Sequence, residues 1–302
     1  MTNSTSGQLN PTPPFDFAQS LNFLGLFPPT QQEQLLSEQS LTKAICLQGQ
    51  VIAFQVKSVG SVEAPQLAYT LFSDQPIAAQ TEHAAVDRLS FFLSLADDLR
   101  HFYAIGRRDP AFAPIIEQLY GYHQVKFLTP FENACWAVLS QRNPLPIARK
   151  MKQALTIRFG GSVMVNGAGY GAFPEPVQLA DVDPTELAIL LHNARRADYL
   201  SAAARAFAAV AEAFLRTAPF DEVKAWLQSI KGIGAWSADF ILLRGLGRME
   251  HVPLTEKRLL EAASRVYGRG QPLNGEAVQS LADRYGSWQG YWAHYLRVAG
   301  AD

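Results

Sequence analysis

Leu227-Gln-Ser-Ile-Lys-Gly-Ile-Gly-Ala-Trp-Ser-Ala-Asp-Phe-Ile-Leu-Leu243 carries the pattern from which the rest of the chain is read. Apolar residues recur at helical spacing on both sides of Lys231-Gly-Ile-Gly234, so the region reads as a helix over 221–230, a tight turn, and a second helix over 235–243. Glycines at 232 and 234 let backbone amides come close to a ligand, and amides at the start of a helix, reinforced by its dipole, cradle anions. Such a hairpin can hold one phosphate without a basic surface around it. A Gly-Ile-Gly turn between helices is about as often purely structural, so its flanks must decide.

The composition fits a folded protein with more than one modest core. Of 302 residues, 48% are apolar and 18% charged, which excludes a mainly disordered chain. A net charge of −1 argues against a broad basic surface gripping many phosphates but permits a local anion site. Two cysteines, Cys46 and Cys135, are too few for a four-cysteine metal site or a disulfide framework. His192, His251 and His294 lack metal-ligand spacing and read as structural or exposed. No stretch approaches the roughly 20 apolar residues of a membrane span, and the leader has neither a basic start nor an apolar run. The expectation is a cytoplasmic protein with no membrane partner.

Residues 1–14, rich in Ser, Thr, Asn and Pro, read as a flexible leader. Strand patterning runs over 42–59 and 66–72, broken at Gly49 and Gly60, and after residue 84 the period becomes helical. The expected fold is α+β, with a small N-terminal antiparallel or mixed sheet domain over 15–103 and a mainly α-helical domain over 104–302. Within the second, helices are expected over 130–139, 144–159, 185–193 and 197–215. Residues 160–176, with five glycines and two prolines, read as a long loop.

Leu227 through Arg248, together with Phe15-Asp-Phe17 to Phe23-Leu24, Phe131-Glu132 to Gln141, and Phe173 to Ala180, resembles the helix-hairpin-helix DNA glycosylases, nearest the 3-methyladenine DNA glycosylase II branch. The resemblance covers nearly the whole chain. It implies a monomeric base-excision-repair enzyme that binds double-stranded DNA in a cleft, flips out a damaged base, here an alkylated purine, and hydrolyses its N-glycosidic bond without a required cofactor. Breaking that bond develops positive charge on the sugar, which a fixed carboxylate stabilises while water attacks.

In the segment over 248–260 the resemblance puts Glu256 at the carboxylate position, where the family usually has aspartate. Placing Thr255 there would set Arg258, instead of Leu259, at the apolar position that follows. The implied base pocket is Trp236, Phe240, Phe23 and Trp288. Gly232, Gly234 and Lys231 are implied to meet phosphate, and Gln141-Arg142 to fill the gap left by the flipped nucleotide. Backbone carbonyls of Gln228, Ile230 and Ile233 are implied to hold a structural Na+ or K+. Bifunctional relatives form a Schiff base from a lysine at the position of Trp236, so no lyase activity is expected.

Read from the residues alone, Glu256 is equally a solvated charge in a first helical turn, Arg142 a loop cation, and the four aromatics core residues. A lesion-binding protein that lost its chemistry when glutamate replaced aspartate is the second functional reading. A hairpin module serving a nuclease or ligase would need a further catalytic domain, for which the resemblance leaves no room.

Overall fold

The computed structural model describes residues 2–254 and 256–300; Met1, Ala301, Asp302 and Thr255, the alternative carboxylate position, lie outside them. The N-terminal part comprises β1 (Asn3–Leu9), α1 (Phe17–Leu26), β2 (Gln34–Leu36), β3 (Ser40–Leu47), β4 (Gln50–Ser58) and β5 (Leu67–Ser73), then α2 (Ala79–Phe92), α3 (Arg100–Gly106) and α4 (Ala113–Gln118). Next come α5 (Pro130–Ser140), α6 (Leu145–Phe159), β6 (Gly161–Val165), β7 (Ala168–Ala172), α7 (Pro176–Ala180), α8 (Pro184–Leu191), α9 (Ala194–Ala209), α10 (Glu212–Thr217), α11 (Phe220–Ser229) and α12 (Ala235–Arg244). The chain ends with α13 (Lys257–Tyr267), α14 (Gly275–Ala282) and α15 (Gln289–Ala299). None of the described helices is long and apolar enough to cross a membrane.

The sheet is antiparallel throughout, in the order β1-β5-β4-β3-β2. Its first strand corrects the expectation of a flexible leader: Asn3 to Leu9 pairs residue by residue with Ser73 to Leu67. An edge strand with one face in water needs backbone partners more than apolar side chains, so a polar run can fill it without showing apolar alternation. Residues 160–176 also differ from expectation. They form the β6–β7 hairpin, whose Val163, Val165, Tyr170 and Ala172 pack on Ala44, Cys46 and Ala53 of the sheet. That cover explains why β3 is buried on both faces from Leu41 to Cys46. The single helix expected over 197–215 is two, because Val210 is extended (φ −95°, ψ 139°) and the chain restarts at Glu212, whose carboxylate binds Arg88 at 2.6 Å.

Two large cores divide the chain differently from a boundary at 103/104. The first joins the sheet and α2–α4 to α13–α15, and the second is built from α5–α12. The last helices therefore return to the N-terminal core, leaving a seam between the halves.

A buried ion cluster pins the start of β2 to α5 and α6. Lys152 Nζ, fully buried, donates to Glu132 Oε1 at 2.5 Å, to Glu33 Oε2 at 2.7 Å and to the Pro29 carbonyl at 3.0 Å. Burial pushes the Glu33 carboxyl up, but Lys152 and Lys43 outweigh it and hold it below its ordinary value. Lys152→Met, leaving two carboxylates short of their counter-charge, is expected to cost about 3–5 kcal/mol at neutral pH, read from urea unfolding midpoints. The wild-type contribution of Glu33 is fully present above its ordinary value of 4.5 and is lost as pH falls through the depressed pKa, so the deficit should shrink as pH falls below about 4.5.

Candidate active site

The hairpin forms as expected. Helix α11 ends at Ser229, Gly232 takes φ +94°, and α12 begins at Ala235 behind Gly234 as its N-cap. The amides of Gly234, Ala235 and Trp236 find no backbone acceptor among the described residues, and no side chain caps the helix. A Cβ on Gly234 would meet nothing within 4 Å, so those amides face open space. At Gly232 the same atom would lie 2.3 Å from Cγ of Tyr199, whose ring braces the turn from α9. The two glycines thus have different jobs: Gly232 makes the turn and Gly234 leaves room at its mouth.

Gln141 and Arg142 end α5 beside this turn. Gln141 Nε2 donates to the Gly232 carbonyl at 2.8 Å, and the Gln141 carbonyl accepts from Arg196 Nη2 at 3.2 Å. Arg142 is exposed in a left-handed conformation, φ +52°. Gln141 is thereby a tether to the hairpin, and Arg142 is the free member of the pair. Lys231 turns to Asp198, Nζ to Oδ2 at 2.6 Å, in an exposed pair. Gln228, Ile230 and Ile233 line one hollow of about 630 Å³ on this face. The Ile230 carbonyl already accepts from the Ile233 amide at 3.0 Å, which leaves its second lone pair for a cation. The described residues hold no cluster of three His, Cys, Asp or Glu for another metal.

Along α12 the hairpin leads into the seam between the cores. Trp236, 42% exposed, stacks on Phe240 with centroids 5.3 Å apart and planes 5° from parallel. Trp236 faces the hairpin hollow, while Phe240 lines a pocket of about 680 Å³ bounded by α1, α12, α13 and α15. Phe23 lines the same pocket, in contact with Phe27 at 5.0 Å. Trp288 does not: it packs between Phe102 at 6.2 Å and Tyr291 at 5.7 Å, within the first core. Its large apolar surface is buried against other aromatics, the ordinary fate of a tryptophan in an aromatic-rich region.

The pocket also gathers groups that sequence reasoning passed over. Arg244, the last residue of α12, is 2% exposed, and its guanidinium carbon lies 4.8 Å from the Phe23 centroid and 5.0 Å from that of Phe27. Burial lowers its pKa to about 10, still charged at neutral pH. Its Nη1 faces both ring nitrogens of His294, 3.3 Å from Nδ1 and 3.4 Å from Nε2, and since a guanidinium can only donate the imidazole is the acceptor; Nε2 also lies 3.0 Å from the Tyr122 hydroxyl. Burial, then Arg244 and Arg297, hold His294 well below its ordinary pKa, so it is neutral. Of the two readings of His294, structural or exposed, the exposed one fails: the side chain is buried, and it also lines the pocket. Its sequence signal was slight: a histidine one helical turn from Arg297 on an aromatic helix.

Glu256 is the N-cap residue of α13 but caps nothing with its side chain. Its Oε2 instead accepts from Arg297 Nη1 at 3.0 Å, and the carboxylate is only 17% exposed, which disposes of the solvated-charge reading. Arg297 lines the same pocket, so the pair stands at its edge. Asp239 and Glu250 are engaged elsewhere, with Lys224 at 2.7 Å and Arg248 at 2.5 Å.

No protein-family model matches the chain. It is similar to the DNA-3-methyladenine glycosylase of Bacillus subtilis (strain 168), 25% identical over 259 residues that cover 85% of this chain and 84% of that protein. Among solved structures, the 3-methyladenine DNA-glycosylase from Archaeoglobus fulgidus superposes with a TM-score of 0.79 at 21% identity, covering 97% of both chains. The Clostridium acetobutylicum 8-oxoguanine glycosylase/lyase, solved in complex with double-stranded DNA, gives 0.70 at 17% identity, covering 100% of this chain and 97% of that one. At those identities the structures speak for the fold.

The glycines yield a paired expectation. Gly234→Val should leave the thermal midpoint near that of the parent and weaken duplex DNA binding by about tenfold or more, because its side chain fills the space before the amides. Gly232→Val should lose about 1–3 kcal/mol of stability, through strain at positive φ and collision with Tyr199. Calorimetry beside fluorescence anisotropy separates the two.

Proposed function

Because the chain belongs to the helix-hairpin-helix DNA glycosylase superfamily, we propose that it is a monofunctional DNA N-glycosylase that flips a damaged purine, of the alkylated class named for its bacterial relative, out of double-stranded DNA and hydrolyses the base–sugar bond. The observation that carries this reading is the continuity along α12, where free amides at Gly234 to Trp236 lead through the Trp236–Phe240 stack into a pocket, roomy enough for a flipped base, that is edged by Glu256 and Arg297.

A DNA phosphate docks on the hairpin amides; the carbonyls of Gln228, Ile230 and Ile233 would hold a monovalent cation there, which would supply positive charge beside the phosphate. Gln141 couples the hairpin to the turn carrying Arg142, so docking also sets Arg142 where it can fill the space left by the flipped nucleotide. The base stacks against Phe240 and Phe23. As the C1′–N bond breaks, its electron pair leaves with the base, and the Glu256 carboxylate stabilises the positive sugar while water adds to C1′. Arg297 positions that carboxylate. With Trp236 in place of an amine there is no route to a Schiff base.

Glu256→Gln is expected to abolish release of 3-methyladenine from duplex DNA while leaving lesion binding intact, since the transition-state charge loses its partner and the pocket does not. Release at the parental rate would assign the carboxylate role elsewhere, and a parent that binds lesions without releasing any base would favour the pure lesion binder. Glu256→Asp should be slower by about 10²-fold, because the shorter side chain draws back from Arg297 and from the sugar. Borohydride should trap no covalent protein–DNA adduct, as gel mobility would report.

A further inference from the structure

We infer that the base pocket favours damaged bases that are electrically neutral and offer hydrogen-bond acceptors, such as hypoxanthine or 1,N6-ethenoadenine, over bases alkylated to a fixed cation, such as 7-methylguanine. The inference rests on the glycosylase reading and concerns which members of the damaged-base class the pocket accepts.

Cation–π attraction to a flipped cationic base needs free aromatic faces. Here Phe23 and Phe27 already have a cation: the Arg244 guanidinium lies 4.8 and 5.0 Å from their centroids. No carboxylate pairs with Arg244, and its Nη2 is buried with no hydrogen-bond partner among the described residues. Around the same pocket stand Arg258, Arg265 and Arg297 against the single lining carboxylate of Glu261, and Glu256 is occupied by Arg297. His294 is neutral and adds no negative charge. A second fixed cation brought beside the buried Arg244 guanidinium is repelled, and the exposed Arg258 and Arg265 add to that repulsion more weakly because water screens them.

The same charges assist the chemistry of a neutral base. When its C1′–N bond breaks, the electron pair makes the departing base an anion until it takes the proton that the attacking water gives up as its hydroxyl joins C1′. Guanidiniums around the pocket stabilise that developing charge, compensating for the poorer leaving group. A cationic base leaves as a neutral molecule and draws no such benefit.

The test uses the full chain and duplexes differing only at one lesion: hypoxanthine, 1,N6-ethenoadenine or 7-methylguanine. Single-turnover release is divided by spontaneous release from the same duplex. The enhancement for each neutral base should exceed that for 7-methylguanine by about tenfold or more, and Arg244→Met should narrow that ratio by a similar factor. Taking the ratio within each protein removes the effect of a smaller folded fraction. Arg258→Gln, on the exposed face of α13, should move it the same way to a smaller extent. An equal or larger enhancement for 7-methylguanine, or a ratio unmoved in both variants, overturns the inference. If no base is released from any duplex, the glycosylase reading fails, and equilibrium binding decides the charge preference: tighter hold on hypoxanthine DNA supports it, and equal or tighter hold on 7-methylguanine DNA overturns it.

Discussion

One guanidinium lies across the seam on which this protein is built. Arg244 ends a helix of the second core, and its charge rests on Phe23 of α1, on Phe27 just after that helix, and on a histidine of α15; Phe23 and α15 pack on the first core. Removing a charge from water without a carboxylate to meet it is costly, and the arrangement is tolerable because aromatic faces and the His294 lone pair share the load. The depressed pKa registers that cost while leaving the group charged near neutrality. The contact gives the pocket wall a buried positive charge and adds to the burial that keeps His294 neutral.

In a chain with a net charge of −1, the proposed docking of a DNA phosphate on the hairpin draws on backbone dipoles more than on side-chain charge. Lys231 and Arg248 are both committed to carboxylates, and Gly234 opens onto empty space in front of unpartnered amides. Amides fixed by a helix and by a Tyr199-braced turn are preorganised, so docking a phosphate orders little that was not already ordered.

The scaffold makes this possible by returning α13–α15 to the sheet-bearing core. Glu256 and Arg297 arrive at the seam from that side, while Trp236 and Phe240 arrive from the other along α12. The buried Lys152 cluster and the β6–β7 hairpin secure the opposite flank, where α6 meets the sheet. A pocket at such a junction is walled by elements of two separate cores.

Strands β3 to β5, the helices around Ala134, Ala148 and Leu187, and the hairpin at 232–234 were readable from the sequence because each follows from local periodicity and from what glycine permits. The resemblance added Glu256, Phe23 and Phe240 as neighbours of one pocket. Strand β1 was not readable, since a polar edge strand is specified by its partner's free backbone groups. Nor was the break at Val210, where no proline or glycine marks the chain and packing overrides an alanine-rich helical pattern. Trp288 and His294 lie six residues apart, yet only packing sent one into the aromatic core and the other to the pocket wall. The pairings of Arg244 with His294 and of Glu256 with Arg297 span 50 and about 40 residues of chain. Periodicity is a property of neighbours along the chain, whereas the charge of a pocket is a sum over groups that only the fold brings together.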